Sequence, residues 1–454
     1  MQKDISYLLE RMAGQLGARA MPAAPINRRT FTRALIGAAL AAPFASAALA
    51  QPGPAPRIVI AGAGAAGIAM ASRLTALMPR AQITIIDARK EHFYQPGFTL
   101  VAAGVYRPGA VIDDNARYLP RGVDWVQEHV AEFDPVGNSV TTAGGRKIAY
   151  DYLVVATGLK LDYAGVAGFE PGMLGRDGLC SVFASPQAAA DCLREVNAFM
   201  EKGGTGLFGR PATEMKCAGA PLKFVLIADD RMRKGGHRAK SRLIYNTPAR
   251  NLFGVAPVHD RVVELFQERD IAFNYGHDLT AIDPGRKRAT YATPDGPVEM
   301  EYDFLHLVPP MRAPDPVRNS PLAWQSGPLA ADGWVEADRS SLRHPRFPNV
   351  FVVGDIAGVP RGKTAASVKW QAPVAAENLA AVAAGREPAA SYNGYTSCPL
   401  ITAIGRAMLV EFDYAGNLTP SFPFIDPLHE NWIAWAMKEQ ALKPMYYAML
   451  RGRV

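Results

Sequence analysis

Cysteine and glycine are the residues whose placement in this sequence could do redox and nucleotide chemistry. Four cysteines occur in 454 residues, at positions 180, 192, 217 and 398. None belongs to a Cys-x-x-Cys pair, which argues against a structural zinc site or a thioredoxin-type motif, and no metal is expected. Four are also too few for a disulfide scaffold in so long a chain, so a reacting pair would join residues distant in sequence. Taken singly, each reads as a small buried hydrophobe. Cys217 differs in following Lys216, whose ammonium would stabilise a thiolate. Cys192 falls in an alanine-rich helical stretch, where packing is its expected role. The glycines of Gly62-Ala63-Gly64-Ala65-Ala66-Gly67 have the spacing of a dinucleotide cradle.

Such a cradle needs a strand before it and a helix after it. Arg57-Ile58-Val59-Ile60-Ala61 supplies a β-branched strand, Ile68 to Leu77 an apolar helix, and Ile83-Thr84-Ile85-Ile86 a second strand ending at Asp87. In this βαβ setting Gly62 permits the tight turn, Gly64 lets the backbone approach a pyrophosphate, and Gly67 lets the helix pack on the strand. The amides of Ala65 and Ala66 open the helix and face the phosphates; Asp87 is placed to accept a ribose hydroxyl. Two more buried strands follow. One, Tyr150 to Val155, runs into Ala156-Thr157-Gly158; the other, Pro348 to Val353, runs into Gly354-Asp355 ahead of a helix-forming stretch. Midway, Gly203 to Asp230 lacks a regular second fingerprint, and Phe224 to Ala228 reads as a strand. Pro221 is unsuited to a phosphate cradle.

In that order, the N-terminal βαβ unit, the Ala-Thr-Gly strand and the Gly-Asp strand resemble the FAD-binding signatures of the two-dinucleotide-domain flavoprotein oxidoreductases. The resemblance implies an α/β fold of two tandem Rossmann-like domains plus a C-terminal amphipathic helical segment. It places Asp355 on the ribityl chain or pyrophosphate and points the helix opening at Ala365, Ala366, Ser367 and Val368 toward the flavin ring. A narrower resemblance rests on His92-Phe93-Tyr94-Gln95-Pro96-Gly97-Phe98-Thr99-Leu100-Val101, Lys216-Cys217-Ala218-Gly219-Ala220-Pro221, His306-Leu307-Val308-Pro309-Pro310-Met311, Lys363-Thr364-Ala365-Ala366, Tyr395-Thr396-Ser397-Cys398-Pro399-Leu400 and Glu411-Phe412-Asp413-Tyr414. From about Arg57 to the C-terminus these segments are similar to the sulfide:quinone oxidoreductase family, mitochondrial-type branch.

That similarity implies a catalytic Cys217–Cys398 disulfide. Hydrosulfide would open it, leaving a persulfide on Cys398 and a thiolate on Cys217; two electrons would pass through FAD to a quinone, and a small sulfur acceptor would remove the outer sulfur. Gln95, the backbone near Val130, Thr157 and Gly158 would line the FAD. Lys363 is either a stabiliser of negative charge there or a surface residue. Cys180 is a candidate third redox cysteine by analogy with other bacterial branches, with packing as its alternative. The rival reading is the flavoprotein subunit of a flavocytochrome c sulfide dehydrogenase. That subunit carries a cysteine for covalent flavin, and none occurs between Glu91 and Leu100, so the FAD is expected to be non-covalent. The implied organisation is a signal segment at 1–50, an FAD-binding domain at 57–165 and 306–390, a degenerate dinucleotide-like domain at 166–305, and a C-terminal region at 391–454.

Composition narrows the partners. Hydrophobic residues make up 49% of the chain and charged residues 20%, as in an ordinary folded protein. The formal net charge of +7 invites a nucleic-acid reading, but residues 1–50 hold six basic side chains against two acidic ones. Arg28-Arg29-Thr30-Phe31-Thr32-Arg33, then an Ala/Leu-rich run to Ala48-Leu49-Ala50, has the form of a twin-arginine export signal, with Met21 as an alternative start. Export to the periplasmic face is therefore expected. The basic run Arg231, Arg233, Lys234, Arg238, Lys240 and Arg242 reads as a solvated loop, and no nucleic-acid partner is expected. Leu428, Trp432, Trp435, Ala436 and Met437, then Met445, Tyr446, Tyr447, Met449 and Leu450 after Pro444, suit two interfacial helices lying on a membrane. A homo-oligomer is left open.

Overall fold

The computed structural model describes residues 55–454; the expected export segment lies outside them. In chain order the elements that matter are β1 (Arg57–Ala61), α1 (Ala65–Leu77), β2 (Gln82–Ile86), β3 (Asp124–Val126), β4 (Tyr152–Val155), β5 (Leu179–Cys180), α2 (Pro186–Lys202), β6 (Gly204–Gly209), α3 (Ala220–Lys234), β7 (Ser241–Thr247), β8 (Ile271–Tyr275) and β9 (Phe304–His306). They are followed by β10 (Val350–Val352), α4 (Ala365–Ala383), β11 (Thr396–Ala403), β12 (Arg406–Phe412), α5 (Trp432–Ala436) and α6 (Leu442–Leu450).

Short apolar runs with few alternating polar residues belong in parallel sheets buried on both faces. Two such sheets form. The first has the order β10-β4-β1-β2-β3 and the second β5-β9-β6-β7-β8, every neighbouring pair parallel. Helices α1 and α4 pack together beside the first sheet, in a core that includes Ile60, Ile85, Val154, Phe351 and Ala372. The glycine turn between β1 and α1 is close-packed for a stated reason. Gly62 has φ of +110°, and a Cβ there would lie 2.4 Å from the Ala156 carbonyl oxygen; one on Gly67 would lie 1.8 Å from the Gly62 oxygen.

The apolar run at Phe224 to Ala228 corrects the sequence reading. It is the middle of helix α3, not a strand, and Pro221 stands in that helix's first turn, where its missing N–H costs nothing. A continuous apolar run carries neither period, so a helix buried nearly all round and a buried strand look alike. The basic residues that follow are not a free loop either. Arg231, Arg233 and Lys234 close α3, and Arg233 and Arg238 both pair with the fully buried Asp229, at 2.9 and 2.7 Å.

The C-terminal segment departs from a simple membrane-lying pair. Helices α5 and α6 are joined by a π-helical turn, Met437–Ala441. Tyr446, Met449 and Leu450 turn inward onto the first core rather than outward. Ser72 Oγ donates to the Leu450 carbonyl at 2.6 Å and Lys443 Nζ to that of Ala110 at 2.5 Å. Asn115 Nδ2 is committed to the Arg89 carbonyl (2.8 Å), so its Oδ1 accepts from His92 Nδ1 (2.8 Å), leaving His92 Nε2 to accept from the Tyr446 hydroxyl (2.7 Å). These bonds hold the segment against the loop that carries Gln95. Outward-facing apolar surface remains at Met445 and Phe424, and no helix among the described residues is long and apolar enough to cross a membrane.

Candidate active site

Strand β6 ends in a loop that returns to α3, and Cys217 lies near the end of that loop. Its φ is +49°, a left-handed conformation uncommon for a residue with a side chain. Two backbone bonds enforce it. Cys217 N donates to the Lys363 carbonyl at 2.9 Å, and Ala220 N donates to the Cys217 carbonyl at 2.7 Å. The first ties the loop to the segment between Asp355 and α4. Cys398 arrives from β11, 5% exposed, and its sulfur rests over Gly219, where an added Cβ would come within 2.4 Å of it. The chain thus brings two cysteines from positions 217 and 398 within hydrogen-bonding reach, at the N-terminal end of α3. All four cysteines are free thiols in the structure.

Two buried lysines frame this pair, and sequence reasoning missed both. Lys223, 2% exposed on α3, places Nζ 3.6 Å from Cys217 Sγ. Lys438, 3% exposed on the π-helical turn, donates to the Pro96 carbonyl at 2.6 Å and faces the same sulfurs. For Lys223 the available signal was a charged residue inside an apolar helical run; Lys438, followed by Glu439 and Gln440, carried none. Lys216, the residue expected to stabilise the thiolate, reaches Gln95 Oε1 at 2.6 Å, and its ammonium still attracts the Cys217 sulfur.

The pair is electrostatically asymmetric. Donation from Cys398 holds the Cys217 thiol well below the usual range, and the charges of Lys223 and Lys438 reinforce this against the opposing effect of burial. The same hydrogen bond, with burial, pushes Cys398 up. Burial alone would lower Lys223, but the two sulfurs outweigh it and raise the ammonium's pKa. Lys438 is lowered to about 7, first by burial and then by the neighbouring Lys223 charge. In the reduced pair Cys217 is the sulfur beside the Lys223 ammonium and the one whose pKa is lowered.

The other predicted residues gather at the C-terminal ends of the first sheet. Asp87 follows β2, and its carboxylate accepts from the amides of Ala63 (2.7 Å) and Arg89 (2.9 Å). Thr157 and Gly158 follow β4, and Gly354 and Asp355 follow β10. Lys363 is buried, which excludes the surface alternative: its Nζ donates to the carbonyls of Asp355 (2.7 Å) and Ala357 (3.1 Å) and lies 3.7 Å from the Trp334 ring centre. Helix α4 opens at Ala365, its Thr364 cap accepting from the Ser367 amide at 3.1 Å, with Val368 buried in the first turn. Val130 opens the strand Val130–Asp134 of a three-stranded meander. Among the described residues no cluster suits a metal ion.

Comparison with known proteins meets this geometry. Residues 56–190 match the family described as pyridine nucleotide-disulphide oxidoreductase. The chain is 35% identical over 407 residues to the mitochondrial sulfide:quinone oxidoreductase of Mus musculus, covering 87% of this chain and 86% of that one. It is also 35% identical over 399 residues to the Dictyostelium discoideum protein of the same name, at 87% and 86% coverage. The chain belongs to the sulfide:quinone oxidoreductase family. A solved sulfide:quinone oxidoreductase from Aquifex aeolicus shares the fold, with a TM-score of 0.73, 24% identity, and 88% and 92% of the two chains covered.

A sulfide:quinone oxidoreductase of this superfamily implies a flavin, and the residues present fit one. The Gly64 and Gly158 α-carbons face open space, with nothing within 4 Å of an added Cβ. Thr157 Oγ1 and Gln371 Nε2 are buried without a protein partner, the pattern left by groups that a polar ligand would satisfy.

Proposed function

We propose that this protein oxidises hydrosulfide at a Cys217–Cys398 disulfide and delivers two electrons to a membrane quinone, with non-covalent FAD as its cofactor. The observation that carries the reading is the meeting of Cys217 and Cys398 between Lys223 and Lys438, on a loop bonded through Lys363 to the flavin-binding end of the first sheet. FAD would be held by the 62–67 turn, Asp87, Gln95, Val130, Thr157, Gly158, Asp355, Lys363 and the first turn of α4, in the domain organisation set out above. Bound there, the flavin supplies a two-electron acceptor.

The protein's own residues set the direction of attack. Hydrosulfide adds to Cys398, the S–S bond breaks, and the electron pair leaves on Cys217, the sulfur 3.6 Å from the Lys223 ammonium. Cys398 then carries a persulfide; transfer of its outer sulfur to a small acceptor leaves it a thiolate beside that of Cys217, and the S–S bond re-forms as the pair gives up the two electrons that the bound flavin would accept. Buried lysine charge also attracts the anionic hydrosulfide. The relatives' names point to a quinone rather than a haem-bearing partner as electron acceptor. The outward-facing Met445 and Phe424 and the half-buried Trp432 and Trp435 are the apolar side chains offered to the bilayer, reached after export by the twin-arginine route.

Anaerobic titration of the holoprotein with sulfide should bleach the flavin absorbance, with a thiolate-to-flavin charge-transfer band, and a short-chain quinone should restore the oxidised spectrum. Cys217→Ser or Cys398→Ser should lower sulfide-dependent quinone reduction by at least about 10³-fold with flavin retained. A flavin silent to sulfide, or full turnover in either variant, overturns the reading.

A further inference from the structure

The proposed cycle does not use the remaining two cysteines, Cys180 and Cys192, yet the fold brings them together. Cys180 ends β5 and Cys192 lies on α2, which packs against that strand. Both have zero exposure, and their thiols are within hydrogen-bonding reach. Next to Cys180, Ser181 Oγ accepts from the Tyr163 hydroxyl at 3.0 Å. A cavity of about 300 Å³, lined by Tyr163, Ser185, Ala188 and Asp191 among others, opens alongside the helix turn that carries Cys192.

The surroundings are the reverse of those at Cys217. Burial, the hydrogen bond with Cys192, and the negative charges of Glu195 and Asp191 hold the Cys180 thiol well above its usual range. A thiolate is disfavoured there, so the pair is poorly suited to receive hydrosulfide or expel a stabilised leaving group. A disulfide, being neutral and without S–H groups to satisfy, suits the same apolar, acid-edged position.

We propose that Cys180 and Cys192 close to a second disulfide, a staple between strand β5 and helix α2 that is separate from the catalytic pair. Closure proceeds by exchange with a low-molecular-weight disulfide. One protein thiolate breaks the small S–S bond and releases one small thiol, and the second protein thiolate displaces the other. One S–S bond forms in the protein as one breaks in the reagent, and two electrons and two protons leave with two small thiols.

Both cysteines fall in one tryptic peptide, Asp177 to Arg194, so the full-length holoprotein tests the staple directly. It is equilibrated with oxidised or reduced glutathione in mild urea, quenched in acid, denatured, alkylated with N-ethylmaleimide and digested. After the oxidised buffer the peptide should be unalkylated and lighter by two hydrogens; after the reduced buffer it should carry two labels. With glutathione and urea removed, the stapled form should show the higher thermal midpoint and reduce quinone with sulfide within about twofold of the open form. A doubly labelled peptide under both buffers, glutathione adducts in place of the internal bond, or loss of turnover on stapling overturns the proposal. The peptide mass does not depend on sulfide activity, so the staple and the catalytic reading fail separately.

Discussion

The molecule holds two cysteine pairs built by the same device, a strand brought against a neighbouring segment, with opposite electrostatics. Cys217 and Cys398 lie between two buried ammonium groups at the start of a 15-residue helix. Cys180 and Cys192 lie between two carboxylates with no exposure of either sulfur. Burial raises a thiol's pKa in both places; at Cys217 the hydrogen bond from Cys398, with the charges of Lys223 and Lys438, overcomes it. Proximity of two thiols therefore does not make a redox centre. The sign of the nearby charge separates a pair that can hold a thiolate from one that can be a staple.

Removing the positive charge should make the first pair behave like the second. Lys223→Met takes away the ammonium 3.6 Å from Cys217. It should raise the Cys217 pKa and slow alkylation of that thiol in the reduced protein at neutral pH by ~10- to 100-fold, measured as rate against pH on the flavin-loaded protein. Sulfide-dependent quinone reduction should fall with it. An unchanged alkylation profile would break the comparison.

Lys438→Met should have a smaller kinetic effect, roughly several-fold, and a stability effect of opposite sign. A lysine lowered to about 7 in the folded protein, against 10.5 unfolded, binds fewer protons folded than unfolded between those values. Its burial thus costs stability in full below about pH 7, and the cost is relieved as pH rises toward 10.5. The variant should melt higher than the parent at pH 6, with the gain shrinking by pH 9. Calorimetry at the two pH values checks this, and a gain that grows with pH would contradict it.

The smallest effect is expected at the second pair. Asp191→Asn removes one of two carboxylates near Cys180, on a side chain already paired to Arg194 at 2.6 Å. Labelling of the reduced Cys180–Cys192 pair should quicken by less than about threefold, because a partly exposed charge is screened. A larger change would mean that Asp191 controls this pair as strongly as Lys223 controls the other.

How far each feature was legible follows from where its physical cause resides. The 62–67 turn and the strands on either side were readable because Gly62 and Gly67 meet a backbone requirement that acts within a few residues. The helix at Ala365 was readable from its opening residues in the same way. Phe224 to Ala228 was misread because an apolar run records burial without recording period. The inward turn of Tyr446, Met449 and Leu450 was invisible because an apolar helix face looks the same whether it meets lipid or protein.

By itself the sequence determined the parallel α/β framework, the glycine cradle and, through resemblance, the pair at 217 and 398. These depend on local backbone freedom, on hydrophobic runs and on short motifs. Tertiary structure alone decided that Lys223 and Lys438 face Cys217, that Lys216 bonds Gln95, that Lys363 is buried, and that Cys180 meets Cys192. Those facts set the reactivity of each thiol, because desolvation and Coulomb interactions act through space between groups that the chain separates by up to hundreds of residues.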